Sequence, residues 1–182
     1  QNLKQVHKLM SWCTGAKGLI GGQFLDLSAN GKVSLRDIIR IHELKTARLI
    51  QVASLGSHLL HKSSSTLKEK VSFLRLGQEI GVTFQLLDDL SELTDATVSS
   101  HEKMINPFLI SPQEALRALA KSHERLLKLL QGHKLKHTQE MLQDYFKNSQ
   151  SKLLQGTKNL ETNLDPSIHD DLKIWITSLW RA

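Results

Sequence analysis

Proline occurs only at Pro107, Pro112 and Pro166, so everything before Pro107 lacks the residue that most strongly breaks a helix. Start signals mark where helices begin. Ser34 with Asp37, Thr66 with Glu69, Ser111 followed by Pro112 and Glu114, and Asp165 before Pro166 all have the form of N-caps. They predict helices over 3–14, 20–29, 35–60, 67–93, 112–131, 138–160 and 167–180. No alternating strand pattern competes, and the fold class expected is all-α. The linkers at 63–65 and 94–100 are polar and short. Without a shift in composition, an internal repeat or a low-complexity tract, residues 1–182 read as a single all-α domain.

Composition removes several function classes. The net charge of +6 could suit an anion, but the 24 Lys and Arg are dispersed and aromatic residues are only 5%, so no nucleic-acid partner is expected. One cysteine, Cys13, excludes an internal disulfide and reads as an inert packing residue; a reducing cytoplasmic location follows as the expectation. No apolar run has the length of a bilayer span, so no stable membrane insertion is expected either.

Two helices carry polar groups on stripes that are otherwise apolar. In the first, Leu35, Ile38, Ile41, Leu49 and Val52 form the stripe; Lys45 interrupts it with Thr46 beside it, and should point inward. In the second, Val71, Leu74, Gly77, Gly81 and Phe84 lead at the same spacing to Asp88 and Glu92, with Gln85 and Asp89 adjacent. Carboxylates in a dry core are too costly, so these must face a polar cavity, neutralise or meet cations. Mg²⁺ would resolve the difficulty, because it takes oxygen ligands and bridges one or two carboxylates to phosphate oxygens. The plainer alternative is a solvated helix end, where acids are common.

Four separated stretches, in order, bear on that choice. "GLIGGQFLDL" (18–27) and "IHELKTARLI" (41–50) are followed by "LGQEIGVTFQLLDDLSE" (76–92) and the looser "KMINP" (103–107). Together they resemble the glycine-rich Gly-Gln segment, the Lys-Thr helix, the Phe-Gln segment with the second aspartate-rich motif, and the stretch that follows it in the trans-isoprenyl diphosphate synthases, or polyprenyl synthetases. The resemblance implies an isoprenoid-synthase-type helical bundle around a deep central cavity. It implies an enzyme, using Mg²⁺, that condenses an allylic prenyl diphosphate with isopentenyl diphosphate into a longer product of the farnesyl or geranylgeranyl type, and it implies a homodimer. Carried over by position, Asp88, Asp89 and Glu92 would bind metal. Lys45, Thr46 and Gln85 would be catalytic, the lysine neutralising the departing diphosphate and the other two directing oxygen dipoles at the developing cation. Gln23, Phe84 and Lys103 would contact substrate.

The sequence also departs from that pattern. Glu92 stands where the family's second motif ends in aspartate, the stretch from Asp89 to Lys103 is short, and Lys103 replaces the usual cationic elements there. A first aspartate-rich motif is absent; the other Asp pair, Asp170 and Asp171, lies in the wrong context. The expectation is therefore the C-terminal portion of a synthase, with N-terminal helices missing and residues 1–182 inactive by themselves. The alternative is a degenerate, non-catalytic isoprenoid-lipid-binding protein or a partner subunit of a synthase. His58 with His61 and His133 with His137 lack the acidic or thiolate companions of a zinc site and read as surface histidines. Gly15, Gly18, Gly21 and Gly22 read as close helix packing, and Trp175, Leu179 and Trp180 as helix contacts.

Overall fold

The computed structural model describes residues 2–29 and 33–178, and within them every side chain but that of His101. Among these residues every regular element is helical. They form two compact units, one of residues 2–29 and 36–85 and one of residues 33–35 and 86–178.

The first unit contains α1 (Asn2–Thr14), α2 (Leu19–Ser28), nearly all of α3 (Leu35–His42), a π-helical segment (Glu43–Ala47), α4 (Arg48–His61) and the first part of α5 (Leu67–Glu92). Helix α1 packs along α4, and Asn2 Nδ2 ties their ends by donating to Leu59 O (2.7 Å) and Lys62 O (2.9 Å). The capping box expected at Thr66 is present. The Glu69 N–H donates to Thr66 Oγ1 (3.2 Å) while the Thr66 N–H donates to Glu69 Oε2 (2.8 Å), which starts α5. Cys13 is fully buried and its thiol is pushed up by desolvation, against the lowering influence of Arg48, so it packs as an inert group. His58 stacks on Phe73 at 4.1 Å and meets Ser65 at 3.0 Å, contacts that suit a packing role.

The second unit takes the end of α5 and adds α6 (Ser100–Ile105), α7 (Pro107–Ile110), α8 (Pro112–His133), α9 (Lys136–Gln155), α10 (Thr157–Asn163), a 3₁₀ turn (Pro166–Ile168) and α11 (His169–Ser178). Its core is built on Leu86, Leu87 and Leu90 of α5 and the following Leu93, Leu119 and Leu126 of α8, and Phe146 and Leu153 of α9, all at 0% exposure. Each such leucine is worth about 1.5–3 kcal/mol of burial. Just past the end of α5, side chains of α10 hold the backbone: Asn159 Nδ2 donates to Thr94 O (2.7 Å) and Asn163 Nδ2 to Leu93 O (3.0 Å).

Several boundaries differ from the sequence expectation. The linker expected over 94–100 leads directly into a short helix, α6, which the sequence did not predict and which Ser99 caps by accepting the Glu102 N–H at 3.1 Å. Asn106 likewise caps α7 by accepting the Phe108 N–H at 3.0 Å. Both helices are too short to show an apolar period. The helix expected over 138–160 is interrupted at Gly156, and that expected over 167–180 begins with the 3₁₀ turn capped by Asp165, whose Oδ1 accepts from Ser167 N at 2.8 Å. Ser111 makes no side-chain cap bond, and Pro112 occupies the first turn of α8. Trp175 packs edge-on to the buried His123 ring at 6.2 Å, while Leu179 and Trp180 lie outside the described residues.

Candidate active site

The residues named from sequence fall in both units. In the first, Lys45 and Thr46 lie on the π-helical segment, where the Arg48 N–H donates five residues back to Glu43 O. Isolated π turns of this kind recur at functional sites. Two glycines let neighbouring backbones reach it. A Cβ on Gly22 of α2 would lie 2.5 Å from Lys45 N, and one on Gly81 of α5 would lie 2.4 Å from Ala47 Cα. Glu43 Oε1 also accepts from Gln78 Nε2 of α5 at 2.9 Å.

The π segment corrects the stripe expected through it. A wider turn adds a residue to the helical phase, so the buried face after it is Ala47, Gln51, Leu55 and Leu59, while Leu49 is exposed and Val52 half-buried. Lys45 itself is partly buried, and its Nζ forms an ion pair with Asp26 Oδ2 of α2 at 2.7 Å. Asp26 was not among the residues singled out from sequence, although Gly22 and Asp26 share a helix face at i, i+4. The buried His42 borders the pair; its pKa is lowered to about 4 by burial first and the Lys45 charge second, with Asp26 opposing. Thr46, Phe84 and Gln85 are half-buried, and Gln23 is exposed on α2.

In the second unit the aspartate pair ends α5. The acids do not complete an inward-facing stripe, because the buried face there belongs to Leu86, Leu87, Leu90 and Leu93, while Asp88 and Glu92 are exposed and Asp89 is half-buried. Water keeps the carboxylates on the outer side of the helix. Tyr145 of α9 donates its phenol O–H to Asp88 Oδ1 at 3.1 Å, and Asn106 Nδ2 holds the Asp89 carbonyl at 2.8 Å. Desolvation, with the Asp88 charge and hydrogen bond, pushes the Tyr145 phenol further above its ordinary range. Glu92 is hydrogen-bonded to Glu102. Its pKa is raised to about 8 by desolvation first, then by Glu102 and Asp88, with Lys152 opposing. Lys103 is exposed on α6. Among the described residues no three His, Cys, Asp or Glu side chains gather into a group that could hold a metal by themselves, and the histidine pairs form no such group either.

Sequence reasoning missed Tyr145, Asn106, Glu102 and Lys152. Asn106 lies in the "KMINP" stretch, and an Asn before Pro is a recognisable cap signal. For Tyr145 and Lys152 no local signal exists, since their partners are far away in sequence. The donor set suits a hard divalent cation. Asp88 and Asp89 offer oxygen ligands, and Glu92 and Glu102 set two further carboxyl groups near Asp88. Asp88 and Asp89 would hold Mg²⁺ together with substrate oxygens. Glu92, carried over from the resemblance as a third ligand, is hydrogen-bonded to Glu102 in this structure.

Comparison with known proteins gives a consistent result. A family model described as Polyprenyl synthetase matches residues 1–106. A geranylgeranyl diphosphate synthase of Cyanophora paradoxa is 38% identical over 89 residues, covering 48% of this chain and 28% of that protein. A farnesyl diphosphate synthase of Bacillus subtilis (strain 168) is 34% identical over 95 residues, covering 51% of this chain and 31% of that protein. Among solved structures, a geranyltransferase from Helicobacter pylori 26695 superposes with a TM-score of 0.55 at 20% identity, covering 99% of this chain and 51% of that one. This likeness carries the fold, an all-α isoprenoid-synthase type. The chain spans less than a third of the two synthases' length and about half of the solved structure's.

Proposed function

The chain belongs to the polyprenyl synthetase family, and from that membership we propose that its protein is a prenyltransferase that condenses an allylic prenyl diphosphate with isopentenyl diphosphate. One observation carries the reading: the matched residues 1–106 contain every position given a site role, from Gln23 through Lys103. Magnesium, when bound, would neutralise the diphosphate leaving group. Asp88 and Asp89 would hold it through their carboxylates. Lys45, whose Nζ is paired with Asp26, supplies a positive charge for the diphosphate. Thr46 and Gln85 present oxygen dipoles toward developing positive charge, the kind of preorganised group worth about 3 kcal/mol in a transition state. Gln23, Phe84 and Lys103 are assigned to substrate contact.

Asp89→Asn in the whole protein tests this assignment. Incorporation of isopentenyl diphosphate should fall by about two orders of magnitude or more, with the circular-dichroism spectrum unchanged. Turnover equal to wild type would remove Asp89 from the site. A second reading, an isoprenoid-lipid-binding protein or synthase partner subunit, is favoured by departures inside the matched stretch: Glu92 stands where the family's second motif ends in aspartate, and the stretch from Asp89 to Lys103 is short. Wild-type protein that binds prenyl chains without turnover would establish that reading instead.

A further inference from the structure

Helix α9 lies beyond the residues matched by the family model, yet one of its side chains ends on the aspartate pair. Tyr145 is half-buried, and its ring sits edge-on at 5.6 Å to Phe146, which is fully buried in the core of the same unit. The phenol is therefore anchored from behind, and a tyrosine has only two side-chain torsions to fix. Its hydroxyl reaches Asp88 Oδ1 at 3.1 Å. Asp88, by contrast, is exposed, and without a partner its carboxylate would rotate freely at the end of α5.

We propose that Tyr145 is a positioning residue for cation binding at Asp88, holding Oδ1 by a hydrogen bond and leaving the second carboxylate oxygen to the metal. The inference rests on the reading of Asp88 as a magnesium ligand. Carboxylates that bind metals are commonly held by a hydrogen bond of this kind, and loss of such a partner costs about 10–100-fold in metal affinity or activity. A donor suits the task better than an acceptor. The phenol O–H supplies the proton of the hydrogen bond and adds no negative charge beside the carboxylate.

The test uses whole protein, Tyr145→Phe and Asp88→Asn, and two readouts. The first is the Mg²⁺ concentration that gives half-maximal turnover. The second is the ultraviolet difference spectrum of tyrosine when Mn²⁺ is added with inorganic pyrophosphate, in which the part lost in Tyr145→Phe belongs to Tyr145. Tyr145→Phe should raise the half-saturating Mg²⁺ about tenfold or more while turnover at saturating Mg²⁺ stays near wild type, the signature of positioning rather than of general disruption. Wild type should show a tyrosine perturbation that Asp88→Asn abolishes. If Asp88→Asn leaves the Mg²⁺ requirement unchanged, the metal assignment fails and takes this inference with it. If Asp88→Asn impairs metal use but Tyr145→Phe does not shift the Mg²⁺ midpoint, only the role of Tyr145 is overturned. Should Tyr145→Phe fail to fold, the wild-type spectrum still decides: metal binding without a tyrosine perturbation overturns the inference.

Discussion

His42 is 6% exposed and immediately precedes the segment that carries Lys45. Its ring meets two opposite charges, the Lys45 ammonium disfavouring protonation and the Asp26 carboxylate favouring it, and burial adds the largest share on the side of neutrality. The pKa falls from an ordinary 6.5 to about 4. The unfolded chain therefore binds a proton between those values that the folded chain refuses, and stability must decrease as pH is lowered through that window. It is fully retained above 6.5 and levels off below 4. A shift of this size corresponds to about 3 kcal/mol at its limit. Urea unfolding of wild type and His42→Leu at pH 7 and pH 4.5 should show the variant losing about 2–3 kcal/mol less than wild type across the interval. Parallel losses in the two proteins would mean that His42 does not carry the acid sensitivity.

At the scale of elements, helices were legible in the sequence wherever local chemistry decided them. The Thr66–Glu69 capping box and the proline-free run gave α5 to within a residue at each end. The apolar stripe placed Ile38 and Ile41 correctly and then failed at Leu49, because the extra residue of the π segment depends on packing against Gly22 and Gly81, which no period of 3.6 encodes. It failed again at Asp88 and Glu92, which the same spacing set inward and the structure leaves exposed. The ties from Asn106, Asn159, Asn163 and Tyr145 are long-range pairings whose second partner a local pattern cannot show. Glycines offer a test of close packing that separates it from propensity. Gly81→Ala sets a methyl 2.4 Å from Ala47 Cα, a backbone atom that cannot move alone, whereas Gly132→Ala in α8 meets nothing within 4 Å. Overpacking should make the first substitution destabilising by about 1–3 kcal/mol despite the better helix former. The second should stabilise by about 0.5–1 kcal/mol. Denaturant midpoints of the two variants moving in the same direction would remove the packing argument for the π segment.

For the molecule as a whole, family membership and fold were legible because their residues lie in a few ordered words, all within 1–106. The sequence words did not reveal that the named residues divide between two compact units, with Gln23, Lys45, Thr46, Phe84 and Gln85 in one and Asp88, Asp89, Glu92 and Lys103 in the other. No described helix is long and apolar enough to cross a membrane. A synthase and a lipid carrier then differ in where their affinity comes from. Ionisation of an allylic diphosphate depends on neutralising its charge, whereas a carrier gains affinity from burying the tail at about 0.8 kcal/mol per methylene. Chelation distinguishes them. In the whole protein, EDTA should abolish turnover and weaken binding of a non-reactive prenyl diphosphate analogue by about tenfold or more, since the acids around Asp88 would repel an unshielded diphosphate. The matching prenyl alcohol should bind weakly with or without Mg²⁺. Calorimetry that finds alcohol and diphosphate bound alike, with EDTA making no difference and no turnover, would make the tail rather than the diphosphate the recognised group and reverse the assignment from enzyme to carrier.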